Sequence, residues 1–211
     1  MNIPATALEK GDIIIMHDKD SSADTQLVSH VSVVAQQREG LKPFIFDLSE
    51  FYGFARIVLP TGNPWSVYRV DKIGLGAEAA LIGSCWLVNS SMLNIDTMRD
   101  IINSPNIYSN ASIITSYLGS SVYGSKTAEY ASYLGTQCMI YPPHELRQTA
   151  SAFSGVICSY LPIALYQAAL GMANSANYMA IDPRKSIPRD LAKYLNNNSH
   201  WKLVGTIDHD S

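Results

Sequence analysis

A cysteine that attacks an acyl carbon needs three things. It needs a thiolate, a histidine that takes and returns the proton, and a polar group that fixes the imidazole's tautomer. The sequence offers Cys85, Cys138 and Cys158. A thiolate forms most readily at a helix N-terminus, where unpaired N–H groups and the helix dipole favour negative charge. Cys158 fits that place: it follows Ser154-Gly155 and opens a stretch, to about Leu170, whose apolar residues recur at helical spacing. Cys85 lies inside an apolar run, where burial opposes a thiolate, and Cys138 has no helix start beside it. For the base, His30 begins a strand-like segment. Asp47 lies in the next strand candidate, so two antiparallel neighbours would bring the pair within cross-strand contact.

The elements that must position these residues follow from patterning. Gly11-Asp12 introduces Ile13-Ile14-Ile15-Met16, a continuous apolar run of buried-strand length. His17–Asp24 reads as a polar loop. Ser29–Ala35, Pro43–Leu48, Arg56–Leu59 and Trp65–Val70 are strand candidates separated by short turns, among them Pro60-Thr61-Gly62-Asn63-Pro64. Short connections predict an antiparallel sheet rather than βαβ units. Ala77–Met92 reads as a buried helix, Ile95–Asn103 as a short one and His144–Thr149 as the start of another. Gly171 is a C-terminal stop for the Cys158 helix. Residues 187–205 read as a short helix followed by a last strand. Strands first and helices afterwards predict an α+β fold in one domain over residues 1–211.

Composition excludes several classes. Lys and Arg number 15 against 18 Asp and Glu, and no basic run is present, so the chain has no footprint for nucleic acid. A hydrophobic share of 47% argues against disorder. Three scattered cysteines make neither a disulfide framework nor a zinc pair. The N-terminus has no basic segment followed by an apolar one, so no Sec-type signal is expected. Within residues 101–181 only Lys126, Glu129, Glu145 and Arg147 are charged. The most apolar window there, Phe153–Ala173, contains Ser154, Gly155, Ser159, Pro162, Gln167 and Gly171. That density of polar and helix-breaking residues predicts a buried helix, not a transmembrane span.

Taken in order, these segments resemble the circularly permuted branch of the NlpC-type papain-like cysteine hydrolase superfamily (YiiX/YebB-like proteins), with lecithin:retinol acyltransferase-like enzymes as relatives. Gly11-Asp12-Ile13-Ile14-Ile15 is similar to the family's "GDI" strand, Ser29-His30-Val31-Ser32-Val33-Val34 to its "SHVGIV" and Phe44-Ile45-Phe46-Asp47 to its strand ending in an acid. Val67-Tyr68-Arg69-Val70 also matches, as does Val156-Ile157-Cys158-Ser159, similar to its "xCSE" at a helix start. The tail Pro188-Arg189-Asp190-Leu191 with Trp201-Lys202-Leu203-Val204 is similar to its closing turn and strand. The likeness covers about residues 9–72 and 150–205. Residues 77–149 would be an insertion or cap. This chain has Tyr160 where the family usually has an acid, and Pro162 is tolerated only in a first helical turn.

The resemblance implies a permuted papain-like fold with Cys158 as nucleophile, His30 as general base and acid, and Asp47 as orienting group. It implies no cofactor and no metal. The leading expectation is a peptidase or amidase, with peptidoglycan peptides as first-guess substrate. The enzyme would be cytoplasmic, or exported by a non-Sec route as a bacterial effector, and an inhibitory or immunity partner is left open. Alternatives are a lipid acyltransferase or thiol esterase of the same fold, and a catalytically inactive binding module. Read as structure alone, Cys158 is a core cysteine, His30 a hydrogen-bonded strand residue and Asp47 a turn acceptor. The acidic run Asp18, Asp20, Asp24 lacks the glycine and closing Glu of a calcium loop, and is a solvated loop. His144, after Pro142-Pro143, is a surface turn histidine. The tyrosines of the middle segment, among them Tyr108, Tyr117 and Tyr123, serve packing or a binding groove.

Overall fold

The computed structural model describes residues 1–18, 28–37, 42–49, 53–91, 157–183 and 185–208. The expectations for Asp20 and Asp24, Ile95–Asn103, the Tyr-rich middle segment, Cys138 and His144–Thr149 lie outside the described residues. A short 3-10 turn, Ala5–Ala7, precedes five strands: β1 (Ile13–His17), β2 (Val28–Gln36), β3 (Phe44–Ser49), β4 (Gly53–Val58) and β5 (Trp65–Val70). Among the described residues three helices and a last strand follow: α1 (Leu75–Ser91), α2 (Tyr160–Tyr178), α3 (Pro188–Asn197) and β6 (Trp201–Ile207). The strands form one sheet in the order β4-β3-β2-β1-β5-β6, every neighbouring pair antiparallel. The fold is α+β, with this six-stranded sheet packed against helices.

The sheet is buried on both faces, which explains why β1 is a continuous apolar run and not an alternating one. Ile13 and Ile15 join Val31, Val33, Phe46 and Leu48 in a cluster with Leu75, Ala79 and Trp86 of α1, Leu161 and Leu165 of α2, and Leu191 and Leu195 of α3. Ile14 points the other way, into a cluster with Leu8, Val34, Ile45, Trp65, Val67 and Ile207. The first cluster seats α2 against the sheet. Strand alternation then places His30 and Ser32 on the same face as Val34, opposite Val31 and Val33.

The Gly11-Asp12 pair is a structural joint. Gly11 has φ 87°, and a Cβ there would lie 2.1 Å from the carbonyl oxygen of Gly76, so neither conformation nor space admits a side chain. Tyr166 Oη of α2 donates to Gly11 O at 2.6 Å. Asp12, 2% exposed, accepts from Arg69 Nε and Nη2 at 2.8 and 2.7 Å and from Glu9 N at 2.8 Å. A buried carboxylate is tolerated here because a bidentate guanidinium and a backbone N–H satisfy it.

Two elements depart from the sequence reading. His17 ends β1 and is buried, where the sequence reads as the start of a polar loop. The helix that follows Cys158 continues beyond Gly171 to Tyr178, with a break at Gly171 (φ 62°, ψ −177°), a conformation nearly confined to glycine. Buried Gln167 ties the helix to the segment just past its end, donating to Met179 O at 3.0 Å and Ile181 O at 2.8 Å. Among the described residues no helix is long and apolar enough to cross a membrane. The side chains of α2 from Tyr160 through Ala168 are packed by protein instead.

Candidate active site

β2 and β3 are adjacent and antiparallel, with Val33 opposite Phe46 and Val34 opposite Ile45. That register sets Asp47 beside the His30–Ser32 stretch. His30 Nε2 donates to Asp47 Oδ1 at 2.5 Å, and Ser32 Oγ donates to the same oxygen at 2.9 Å. The side chains are largely enclosed, the His30 ring 15% exposed and Asp47 5%.

Cys158 sits in the turn just ahead of α2, whose N-cap is Ser159 and whose first bond runs from Tyr160 N to Ile157 O at 2.9 Å. Two serine hydroxyls secure this helix start: Ser159 Oγ donates to Ser186 O at 2.5 Å and Ser186 Oγ to Asp182 O at 2.7 Å. Pro162 is the third residue of α2, within the first turn, where a missing N–H deprives the helix of no bond. From this turn Cys158 acts on the His30 ring and helps to raise its pKa.

The structure therefore brings together the three residues singled out in the sequence, from two strands and a helix start. Burial alone would push the His30 pKa down. The hydrogen bond and charge of Asp47, together with the interaction with Cys158, outweigh it and raise the ring to about 10. At neutral pH the imidazole is held as its cation. Cys158 itself has no exposed surface.

Two further residues join this cluster. Ser32 lies two positions beyond His30, so period-2 alternation already placed it on the same face as a signal available in the sequence. Trp65 stands edge-on to His30, the ring centroids 6.4 Å apart and the planes at 79°. It reaches His30 through β1, since Met16 pairs with both, and that depends on register.

Family models, curated proteins and solved structures yield no match to this chain.

Two other features compete for attention. His17 Nε2 and Ser66 Oγ lie 2.7 Å apart in the interior, but His17 Nδ1 is buried without a hydrogen-bond partner, so no acid orients that ring as Asp47 orients His30. A cavity of about 840 Å³ is lined by Asp12, Arg69, Lys72, Gly74, Tyr166 and Lys202, among others. It adjoins the beginning of β1, whereas His30 pairs with Met16 near the strand's end, and its walls hold neither cysteine nor histidine. Among the described residues no group of His, Cys, Asp and Glu could hold a metal ion.

Proposed function

We propose that the chain is a cysteine hydrolase that cleaves an acyl bond, an amide in a peptide or peptidoglycan stem, by a Cys158-His30-Asp47 mechanism. The observation that carries this reading is one imidazole hydrogen-bonded to a buried carboxylate and electrostatically coupled to a cysteine at a helix start. The order of motifs adds to it, being similar to that of permuted NlpC-type papain-like proteins.

In this mechanism the His30 cation beside Cys158 favours the thiolate, as does the N-terminal end of α2. The sulfur attacks the carbonyl carbon, and the backbone N–H of Cys158 contributes to stabilising the oxyanion. His30 gives its proton to the leaving amine as the C–N bond breaks, leaving a thioester on Cys158. Water then loses a proton to His30 and attacks the thioester, and the acid departs as the thiolate re-forms. Asp47 keeps Nε2 protonated and the ring turned toward the sulfur throughout.

The lack of exposed surface on Cys158 supports a second reading, a catalytically idle binding module that keeps the same arrangement. Alkylation of the full chain by iodoacetamide, resolved by peptide mass spectrometry, separates the two. An enzyme labels fastest at Cys158, and His30→Ala slows that site about a hundredfold. Equal, slow labelling of all three cysteines would sink the hydrolase reading. Digestion of purified peptidoglycan against a panel of ester lipids then separates amidase from acyltransferase.

A further inference from the structure

Within the candidate site one polar side chain has no part in the mechanism just described. Ser32 is fully buried, and its hydroxyl must donate somewhere. Ser29, Ser84, Ser159 and Ser186 each donate to a backbone carbonyl. Ser32 instead donates to a carboxylate, and to the same oxygen that His30 uses.

We propose that Ser32 is a positioning residue of this site, its hydroxyl holding the Asp47 carboxylate in the plane from which Oδ1 accepts the His30 Nε2–H. The inference rests on the reading of Cys158, His30 and Asp47 as the reacting set.

The physical case has three parts. The last torsion of an aspartate is broad, so its rotamer does not define the carboxylate plane by itself. Two donors on one oxygen do define it, and both come from a single strand. His30 and Ser32 are two residues apart on β2, so their backbones are separated by a fixed strand repeat of about 6.6 Å. Val31 between them is anchored opposite Ile15, and Val33 beyond them opposite both Ile13 and Phe46. Finally, the acceptor and the Ser32 donor are buried, with Asp47 3% exposed, and the His30 ring is largely enclosed. Charge-assisted bonds there are shorter and stronger than neutral ones, and no solvent replaces one that is lost. The position corresponds to the glycine of the "SHVGIV" pattern, so the hydroxyl is supplied by this sequence.

Ser32→Ala removes the hydroxyl with little change of volume, and Ser32→Thr retains it. The first measurement is the Nε2 proton resonance of His30 in the full chain, followed by NMR with labelled histidine. The wild type shows it far downfield and protected from exchange with water. Ser32→Ala loses it to exchange, and Ser32→Thr restores it. In parallel, iodoacetamide labelling of Cys158 slows about tenfold in Ser32→Ala and recovers in Ser32→Thr, the effect of one hydrogen bond to a charged group. A protected resonance in Ser32→Ala overturns the assignment. So does its loss in both variants, or its absence from the wild type. If the resonance behaves as expected while wild-type Cys158 labels no faster than in His30→Ala, the positioning role stands as a structural one and the hydrolase reading fails.

Discussion

The His30 ring and the Asp47 carboxylate, 17 residues apart in the chain, meet at 2.5 Å across neighbouring antiparallel strands, and Cys158, at a helix start more than a hundred residues later, helps to raise the pKa of the same ring. Asp47 thus controls both the orientation and the charge of the imidazole. Asp47→Ala leaves the ring free to turn from the thiol and removes its counter-charge. We expect the rate of Cys158 alkylation to fall between about tenfold and a thousandfold, read from time courses at neutral pH.

The charge on His30 makes stability pH-dependent. Its folded pKa of about 10 lies above the unfolded value of 6.5, so its contribution is complete below pH 6.5 and is lost as pH rises toward 10. Thermal unfolding of the wild type across that window should show a falling midpoint. In Asp47→Asn the fall should be smaller, because the folded ring gives up its proton closer to the unfolded value.

His17 acts with the opposite sign. Burial lowers its pKa, against a weaker upward pull from the Asp18 charge, so the folded state favours the neutral ring. Its contribution is complete above pH 6.5 and is lost as pH falls through the lowered folded value. Where these two histidines dominate, stability peaks near pH 6.5. His17→Gln should flatten the acid side of the profile while leaving the alkaline side in place, as measured by unfolding midpoints from pH 4 to 10.

Gly11→Ala forces a side chain into a positive-φ position and against the Gly76 carbonyl. A loss of about 3 kcal/mol or more is expected in urea unfolding. An unchanged midpoint would show that the Gly11–Gly76 approach can open at little cost.

Arg69→Met leaves the Asp12 carboxylate enclosed without its guanidinium. Because the Arg69 side chain is 28% exposed, solvent compensates in part, and a cost of about 2 kcal/mol is expected. Asp12→Asn combined with Arg69→Met should be less damaging than the sum of the single changes, which a double-mutant cycle measures.

The sheet and the candidate residues Cys158, His30 and Asp47 are legible in the sequence because each rests on a local pattern. Apolar runs between Gly- and Pro-rich turns mark β1 through β5, and the small residues before Cys158 mark a helix start. His17 is misplaced for the same local reason: Asp18, Lys19 and Asp20 beside it read as a loop, and its partner Ser66 belongs to a strand 49 residues later. Gly171 breaks the helix as expected, yet the chain resumes helix to Tyr178, a continuation that the local pattern does not signal. Trp65 is recognisable as a strand residue. Its place against His30 depends on Met16 pairing with both, which only the assembled sheet defines.

The two tethers on α2 have a mechanical consequence. Ser159 is tied to Ser186 O, and Tyr166, seven residues on, to Gly11 O, so the first two turns are pinned at points about 10 Å apart along the axis. A rod fixed at two points can neither slide nor pivot without breaking a buried hydrogen bond. The sulfur at its tip is then a stationary post, and any group that meets it must adjust its own position.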